Sequence, residues 1–256
     1  MNHRLWQVVL GLILAGTFAG AMPQNPEEIE EALKVLNRAK YLHQERKYEE
    51  AIAEYQRAAK LDKDNPFIFN YMGLAFLSIR DHKNAIKNFE HALELNPDLT
   101  DVHNNLGVLY SETGDREKAF QEFALVVGDP SFPTPEKPLY NLGELYLREQ
   151  NVELALMHFR RSVEKNPGFA MGHRGLGKAY LALGENESAI KSFERVLELT
   201  PNDQDSLYEL ARFYDQQGDT EKALEYYRRV VEADRFSSLG QLSLKRLEAL
   251  KSAGSK

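Results

Sequence analysis

The chain has 256 residues, of which 43% are hydrophobic and 28% are charged, a composition typical of folded globular proteins. Its 39 acidic residues outnumber its 32 basic residues, and the formal net charge is −7. This acidic balance argues against a surface built to neutralise nucleic-acid phosphates. The sequence contains no cysteine, which excludes disulfides, thiolate catalysis and cysteine-ligated metal centres.

Residues 1–21 have the pattern of a secretory signal peptide. Arg4 supplies a positive charge near the start, and an apolar core of signal-peptide length follows it. The small residues Ala19 and Ala21 predict cleavage after Ala21, which would leave the mature chain in the periplasm. The alternative is an uncleaved anchor, although the stretch is short for a membrane-spanning helix of about 20 residues. Residues 22–31 are predicted to be a linker and the start of the first helix.

From residue 32 the sequence repeats with a period of 34. Six repeats are predicted, at residues 32–65, 66–99, 100–135, 136–169, 170–203 and 204–237. The eighth and twentieth positions of every repeat hold Ala or Gly, and the twenty-fourth holds Tyr or Phe. Small residues let two helices approach closely, and large rings fill the space between that pair and its neighbours. The pattern therefore predicts two packed helices in each repeat.

A turn is predicted at the fifteenth position of each repeat. Three repeats have glycine there, which suits a left-handed backbone conformation, and the other three have Arg46, Arg80 and Gln150. This arrangement resembles the tetratricopeptide repeat (TPR), whose 34-residue period is distinctive. The resemblance implies an all-α fold, a right-handed TPR superhelix or α-solenoid of six helix-turn-helix repeats. Residues 238–256 are predicted to form a capping helix and tail.

The sequence predicts no enzyme activity, no cofactor and no metal site. Residues 172–178 have the spacing of a phosphate-binding P-loop, but Ala179 stands where Ser or Thr must reach the magnesium ion. The same residues fall inside a predicted helix, so no loop of free amides would be present. The seven histidines are scattered and form no HExxH pattern. We therefore expect no nucleotide ligand.

The TPR resemblance implies that the first helices of the repeats line a concave groove that holds an extended peptide. Asparagine and tyrosine side chains recur at the groove positions, and asparagine can both donate to and accept from a peptide backbone. The predicted partner contacts on these helices are Asn37, Asn70, Tyr71, Asn104, Asn105, Tyr140 and Asn141. The alternative is that Asn70, Asn105 and Asn141 only satisfy neighbouring backbone groups or caps.

The third repeat is two residues longer than the others and ends in a proline-rich joint. Four prolines lie between residues 130 and 138, and such a stretch is stiff, extended and non-helical. The joint is predicted to project, with Phe132 either exposed or folded onto the groove edge, and Phe132 is a further candidate partner contact. The alternative is an ordinary spacer between repeats.

The joint Asp129-Pro-Ser-Phe-Pro-Thr-Pro135, with the export signal and six repeats, resembles the PilF/PilW family of type IV pilus biogenesis TPR proteins. The resemblance implies a pilotin-like, non-enzymatic periplasmic adaptor that assists assembly of the pilus secretin in the outer membrane. The alternative is a generic periplasmic TPR scaffold for other envelope complexes, such as cell-wall hydrolases or polysaccharide export. Either way the expected partner is the secretin or another envelope protein, not a nucleic acid.

Members of that family are typically acylated on a cysteine that follows a Leu-Ala-Gly box. Here Thr17 follows Leu14, Ala15 and Gly16, and threonine has no thiol to carry the lipid. The chain is therefore predicted not to be a lipoprotein. Any membrane association would be indirect or through an uncleaved signal.

Overall fold

The computed structural model describes residues 25–253, and the predicted signal peptide lies outside that range. Within it, the regular structure consists of thirteen α-helices. The helices are α1 Pro26–Gln44, α2 Tyr48–Leu61, α3 Pro66–Ser78, α4 His82–Leu95, α5 Thr100–Thr113, α6 Arg116–Gly128, α7 Glu136–Arg148, α8 Val152–Lys165, α9 Ala170–Ala182, α10 Asn186–Leu199, α11 Gln204–Gln216, α12 Thr220–Ala233 and α13 Ser238–Ala253. The fold class is all-α, as the sequence predicts.

The chain divides into two compact units, with the boundary between Asp98 and Leu99. In the first unit α1 packs on α2, and α3 packs on α4. In the second unit the pairs are α5 with α6, α7 with α8, α9 with α10, and α11 with α12, and α13 packs against α12. Each predicted repeat thus contains one helix pair.

The turn inside each pair has the left-handed residue that the sequence predicts. Positive φ angles occur at the fifteenth position of all six repeats: 89°, 74° and 77° at the three glycines, and 59° or 60° at Arg46, Arg80 and Gln150. A left-handed residue with a Cβ costs roughly 1–2 kcal/mol, so three of the turns are strained and three are not. An Asp or Asn at the next position then caps four of the second helices by accepting a backbone N–H; these residues are Asp81, Asp115, Asn151 and Asp219.

The small residue at the eighth position packs directly against the ring at the twenty-fourth. A Cβ built on the glycine would come within 2.5–2.7 Å of that ring in four repeats: Gly73 with Phe89, Gly107 with Phe123, Gly143 with Phe159, and Gly177 with Phe193. Side chains never approach so closely, so these positions require glycine for the two helices to pack as they do. The predicted reason for the two sequence columns is confirmed.

Each unit has its own apolar core. Tyr55, Ile68 and Met72 are central to the core of the first unit. In the second unit Phe159 and Phe193 are buried between helix pairs, and Leu247 of α13 packs into a cluster with Tyr227. These cores hold the first helices of successive repeats beside one another within each unit.

Candidate functional site

Three of the predicted contacts belong to the first unit. Asn37 is exposed on α1, while Asn70 and Tyr71 are half-buried on α3. The Tyr71 ring stacks on Tyr55 with 6.3 Å between ring centroids, and the Lys40 ammonium lies 4.8 Å from the Tyr71 centroid. Tyr71 therefore has aromatic and cationic contacts inside its own unit as well as an open side.

Four more predicted contacts lie on two first helices of the second unit. Asn104 and Asn105 are half-buried on α5, and Asn141 is half-buried on α7. Tyr140, also on α7, is only 9% exposed, and its ring packs against Phe159. Burial raises the pKa of Tyr140 to about 12, so its hydroxyl stays protonated at physiological pH. The Tyr140 hydroxyl interacts with Glu144 and Arg174, so it belongs to the polar groups of this face together with the three asparagines, although its ring is buried.

Two of the asparagines have buried amide oxygens with no hydrogen-bond partner in the described part of the chain. These are Oδ1 of Asn70 in the first unit and Oδ1 of Asn104 in the second. An unpaired buried acceptor costs about 1–3 kcal/mol, and a donor that reaches the oxygen recovers that free energy. The alternative that the amide of Asn70 only caps a neighbouring backbone group does not account for its oxygen.

An ionic network continues this face across α7, α9 and α11 of the second unit. Arg174 donates to Asp203 and Asp205, both at 2.9 Å, and Lys178 Nζ lies 3.7 Å from Glu144 Oε1. Even so, Nε of Arg174 and Oε1 of Glu144 are buried without a hydrogen bond. Because Glu144 Oε1 still has Lys178 as its ion-pair partner, the groups left without a partner in the described chain are Arg174 Nε, a donor, and Asn104 Oδ1, an acceptor.

A cavity of about 470 Å³ opens between α9 and α11 on the second unit. It is lined by Lys178 and Ala182 of α9 and by Glu209, Arg212 and Phe213 of α11. The lining combines the charged groups of Lys178, Glu209 and Arg212 with the Phe213 ring and the Ala182 methyl group. Such a lining suits a polar peptide segment better than a wholly apolar ligand.

The contacts predicted from the sequence do not include the network around Arg174. Glu144 and Asp203 were not among the predicted contacts, although Glu144 and Lys178 share the ninth position of successive repeats. Residues at equivalent positions of neighbouring repeats lie side by side, so opposite charges in one column were the available signal.

The proline-rich joint folds against its own unit. The phenyl ring of Phe132 is buried, at 8% exposure, so of the two predicted positions the structure excludes the exposed one. The Asp129 carboxylate accepts from Ser131 N–H at 2.8 Å, from Ser131 Oγ at 2.6 Å and from Thr100 Oγ1 at 2.5 Å. These bonds hold the pKa of Asp129 below its usual value. The joint is a pinned turn that leaves Phe132 little surface to offer a partner.

The P-loop-like run lies inside α9, where the repeat pattern places it. Its glycines serve packing, because a Cβ on Gly175 would lie 2.4 Å from the Phe159 ring and one on Gly177 would lie 2.7 Å from Phe193. No group of three or more His, Asp or Glu side chains among the described residues is arranged to hold a metal ion. None of the helices in residues 25–253 is long and apolar enough to cross a membrane.

Comparison with protein families finds the same repeat along most of the chain. Models of the tetratricopeptide repeat match residues 139–168 and 174–238, and a TPR repeat model matches residues 40–79 and 81–114. A search of curated proteins by sequence gives no match.

Solved structures of similar fold include two proteins of type IV pili. PilW, described as a widely conserved type IV pilus biogenesis factor, matches with a TM-score of 0.73 at 21% identity, over 83% of this chain and 98% of PilW. PilF of Pseudomonas aeruginosa matches with a TM-score of 0.74 at 18% identity, over 86% of this chain and 99% of PilF. YrrB, described as a TPR protein with an unusual peptide-binding site, matches with a TM-score of 0.59 at 20% identity, over 75% of this chain and 97% of YrrB. At such identities the likeness shows the fold.

Proposed function

Because the chain belongs to the tetratricopeptide repeat family, we propose that it is a non-enzymatic adaptor that binds an extended segment of an envelope protein. We further propose that this partner is the outer-membrane secretin of a type IV pilus, whose assembly or stability the chain assists in the periplasm. The proposed contact face consists of the first helices α5, α7, α9 and α11 of the second unit. Asn37, Asn70 and Tyr71 are proposed as further contacts made by the first unit.

One observation carries the proposal of peptide binding. The contact face contains a buried acceptor and a buried donor with no hydrogen-bond partner in the described chain, namely Asn104 Oδ1 and Arg174 Nε. A peptide backbone offers both N–H donors and C=O acceptors, so one extended segment satisfies both kinds of group. Asn104 is itself only half-buried, and the last torsion of its side chain is soft. A small rotation therefore turns its amide oxygen toward an arriving strand.

Three features support a pilus secretin as the partner. The joint at residues 129–135 resembles that of the PilF/PilW family, the first 21 residues have the pattern of an export signal, and PilW and PilF share the fold over nearly their whole length. Thr17 departs from the family pattern, because threonine provides no attachment point for a lipid. The proposed adaptor therefore acts without an acyl anchor of its own.

The experiment is deletion of the gene in its native host, followed by gel analysis of secretin multimers under conditions that preserve them. We expect multimers to be reduced in the deletion strain and restored by the wild-type gene. Unchanged multimers and normal pili in the deletion strain would contradict the pilus role.

A second measurement separates this function from a general scaffold of the envelope. Pull-down from cross-linked cells with the full chain is expected to recover the secretin. Recovery of cell-wall hydrolases or polysaccharide-export proteins without the secretin would favour the general scaffold, a reading that the missing lipid site also fits.

A further inference from the structure

A cavity of about 380 Å³ lies in the second unit where the last repeat meets the final helix. We call it the cap pocket. It adjoins the cavity between α9 and α11, because Arg212 and Gln216 line both, so the contact face proposed above continues into it. Its walls come from α11, α12 and α13 and include Tyr208, Arg212, Tyr227, Leu242, Lys245 and Arg246.

The walls of the cap pocket carry three cationic side chains and one carboxylate, that of Asp215. This carboxylate accepts two hydrogen bonds from the Arg246 guanidinium and one from the Tyr227 hydroxyl at 3.2 Å. The charge of Asp215 is therefore already balanced by Arg246. The other two cations give the pocket more positive charge than its own walls balance.

These cationic groups are open to solvent. The side chains of Arg212 and Arg246 are both about half exposed, and Arg212 has its ion-pair partner, Glu209, outside the pocket walls. Arg246 uses two of its five N–H donors on Asp215, and this pairing holds the guanidinium at the pocket wall. Lys245 is exposed and has no ion-pair partner within residues 25–253. An incoming carboxylate thus finds open donors without breaking an ion pair of the wall.

Apolar surface lies beside the cations. The Leu242 side chain is half exposed, and the Tyr208 ring packs edge-on against the Tyr227 ring with 6.1 Å between centroids. The Arg212 guanidinium lies 6.0 Å from the Tyr208 centroid. A protein segment that combines an apolar side chain with a carboxylate matches both parts of the pocket. A membrane surface is flat on the scale of a helix pair, so it would reach only the rim.

The charge of the chain also changes sign near the cap pocket. Residues 235–256 contain five basic residues and one acidic residue, although the formal net charge of the whole chain is −7. The electrostatic field of a basic end on an acidic chain attracts an acidic segment to that end. The charge pattern therefore favours an acidic protein segment as the occupant.

We propose that the cap pocket binds an acidic stretch of the partner segment, with an Asp or Glu carboxylate against Lys245 and Arg246 and an apolar side chain against Leu242 and Tyr208. This inference rests on the proposed function, because it assigns the chemistry of one end of the segment bound on the first helices. The acidic stretch is the part of the segment that passes beyond α11.

The test uses the full chain and a phage-displayed library of random dodecapeptides as the probe, followed by calorimetric titration with the selected peptides. Lys245→Glu reverses a charge of the pocket, and Lys191→Glu on α10 is the matched control, because Lys191 is exposed and lines neither cavity of this face. Ala249→Trp fills the pocket from an exposed position, and Ala124→Trp at an exposed position of α6 is its control. Circular dichroism melts check folding, and Leu242→Ser replaces Ala249→Trp if that variant does not fold.

We expect the selected peptides to carry Asp or Glu near an apolar residue. Their affinity should fall about fivefold or more in Lys245→Glu and about tenfold or more in Ala249→Trp. It should change less than about twofold in Lys191→Glu and in Ala124→Trp. Raising the salt concentration from about 50 mM to about 300 mM should weaken binding to the wild type more than binding to Lys245→Glu.

Selected peptides without acidic residues would overturn the inference, as would peptides that bind Lys245→Glu and Ala249→Trp as tightly as the wild type. Peptides that lose affinity in Asn104→Leu but keep it in Lys245→Glu would overturn this inference alone and leave the proposed function standing. Wild-type dimers in sedimentation experiments that Ala249→Trp abolishes would show instead that a second copy occupies the pocket.

Two further outcomes would also contradict the inference. One is binding to phosphatidylglycerol vesicles that Lys245→Glu abolishes while no peptide is selected, which would assign the pocket to a lipid surface. The other is a library without any binder. The secretin multimers of the deletion strain then show whether the proposed function fails as well, since that assay does not depend on the peptide library.

Discussion

Two neighbouring junctions of the second unit use the same repeat in opposite ways. Between the fourth and fifth repeats, Phe159 is held from both sides, because a Cβ on Gly143 or Gly175 would lie 2.5 or 2.4 Å from its ring. Between the third and fourth repeats, Asn141 stands where the next repeat has Gly175, and a cavity of about 440 Å³ opens nearby. The first junction is closed by glycine and serves stability. The second is left open.

The largest expected effect is at the open junction, where Phe132 provides the buried side chain of the joint. Phe132→Ala should lower the free energy of unfolding by about 3 kcal/mol, because a buried ring leaves a cavity behind. Leu125→Ala is the control, since that side chain is 56% exposed and its loss should change stability by less than about 0.5 kcal/mol. Urea titrations of both variants measure the difference. Equal, small losses would show that the joint carries no packing role.

The next effect tests the closed junction. Gly175→Ala should destabilise the chain by roughly 1–3 kcal/mol, because the new methyl group collides with the Phe159 ring. Gly128→Ala is the matched control at the end of α6, where a Cβ meets nothing within 4 Å. The melting temperature should fall for Gly175→Ala and stay unchanged for Gly128→Ala. A Gly175→Ala melt that coincides with the control would contradict the tight packing.

A smaller effect compares the turns of the third and fourth repeats. Gln150 has a φ of 60° and Gly114 a φ of 89° at the equivalent position. Gln150→Gly should raise stability, and Gly114→Ala should lower it, each by about 1 kcal/mol, because only glycine adopts this conformation without strain. Denaturant midpoints measure both. A destabilised Gln150→Gly variant would show that contacts of the glutamine outweigh the backbone strain.

The smallest effect is on the pH dependence, and it arises from the open junction. Burial and Arg161 lower the pKa of His158 from its ordinary value near 6.5, so the unfolded chain binds this proton more readily than the folded chain. The contribution of His158 to the free energy of unfolding is fully present above about pH 6.5. It is lost as the pH falls toward the lower pKa that this imidazole has in the folded chain. Between about pH 7.5 and about pH 5.5, His158→Gln should therefore lose less stability than the wild type. Equal losses would show that His158 does not contribute. His43, whose pKa burial also lowers, is expected to leave a residual slope.

The helix pairs, their turns and their glycine–aromatic contacts could be predicted from the sequence. The reason is that the same pattern of small, aromatic and turn residues recurs in all six repeats. Contacts between distant residues could not be predicted in this way. Arg246 of α13 donates to Asp215 of α11 through two hydrogen bonds of 2.5 and 2.7 Å, and no sequence pattern pairs these two residues. Leu242 of the same helix is apolar and yet 49% exposed. Both outcomes depend on how α13 is rotated against its neighbours, which no repeat column encodes.

The candidate site was only partly predictable for a similar reason. The groove positions of the asparagines follow from the TPR resemblance, but their hydrogen bonding does not, since the sequence is the same whether an amide is paired or unpaired. Proline content predicted the joint and not the burial of Phe132, because an extended segment can lie in solvent or against the protein. Residues 22–31 are predicted to hold a linker and the start of the first helix, and the exact start depends on a local hydrogen bond. Helix α1 begins at Pro26 because the Asn25 side chain accepts from Glu27 N–H at 3.1 Å and caps the helix there.

The central claim is that the amide oxygen of Asn104, which has no hydrogen-bond partner in the described chain, binds a partner protein. One measurement with a matched control variant tests this claim most directly. Asn104→Leu is assayed for its free energy of unfolding and for its ability to restore secretin multimers in the deletion strain. Asn166→Leu is the control, because its amide donates to Glu136 at 3.3 Å and its oxygen accepts from Gly168 N–H at 3.0 Å. We expect Asn104→Leu to be at least as stable as the wild type, since it removes a buried unpaired acceptor, yet to fail to restore multimers. The control should lose about 1 kcal/mol and still restore them. An Asn104→Leu chain that loses stability and restores multimers to the wild-type level would contradict the claim.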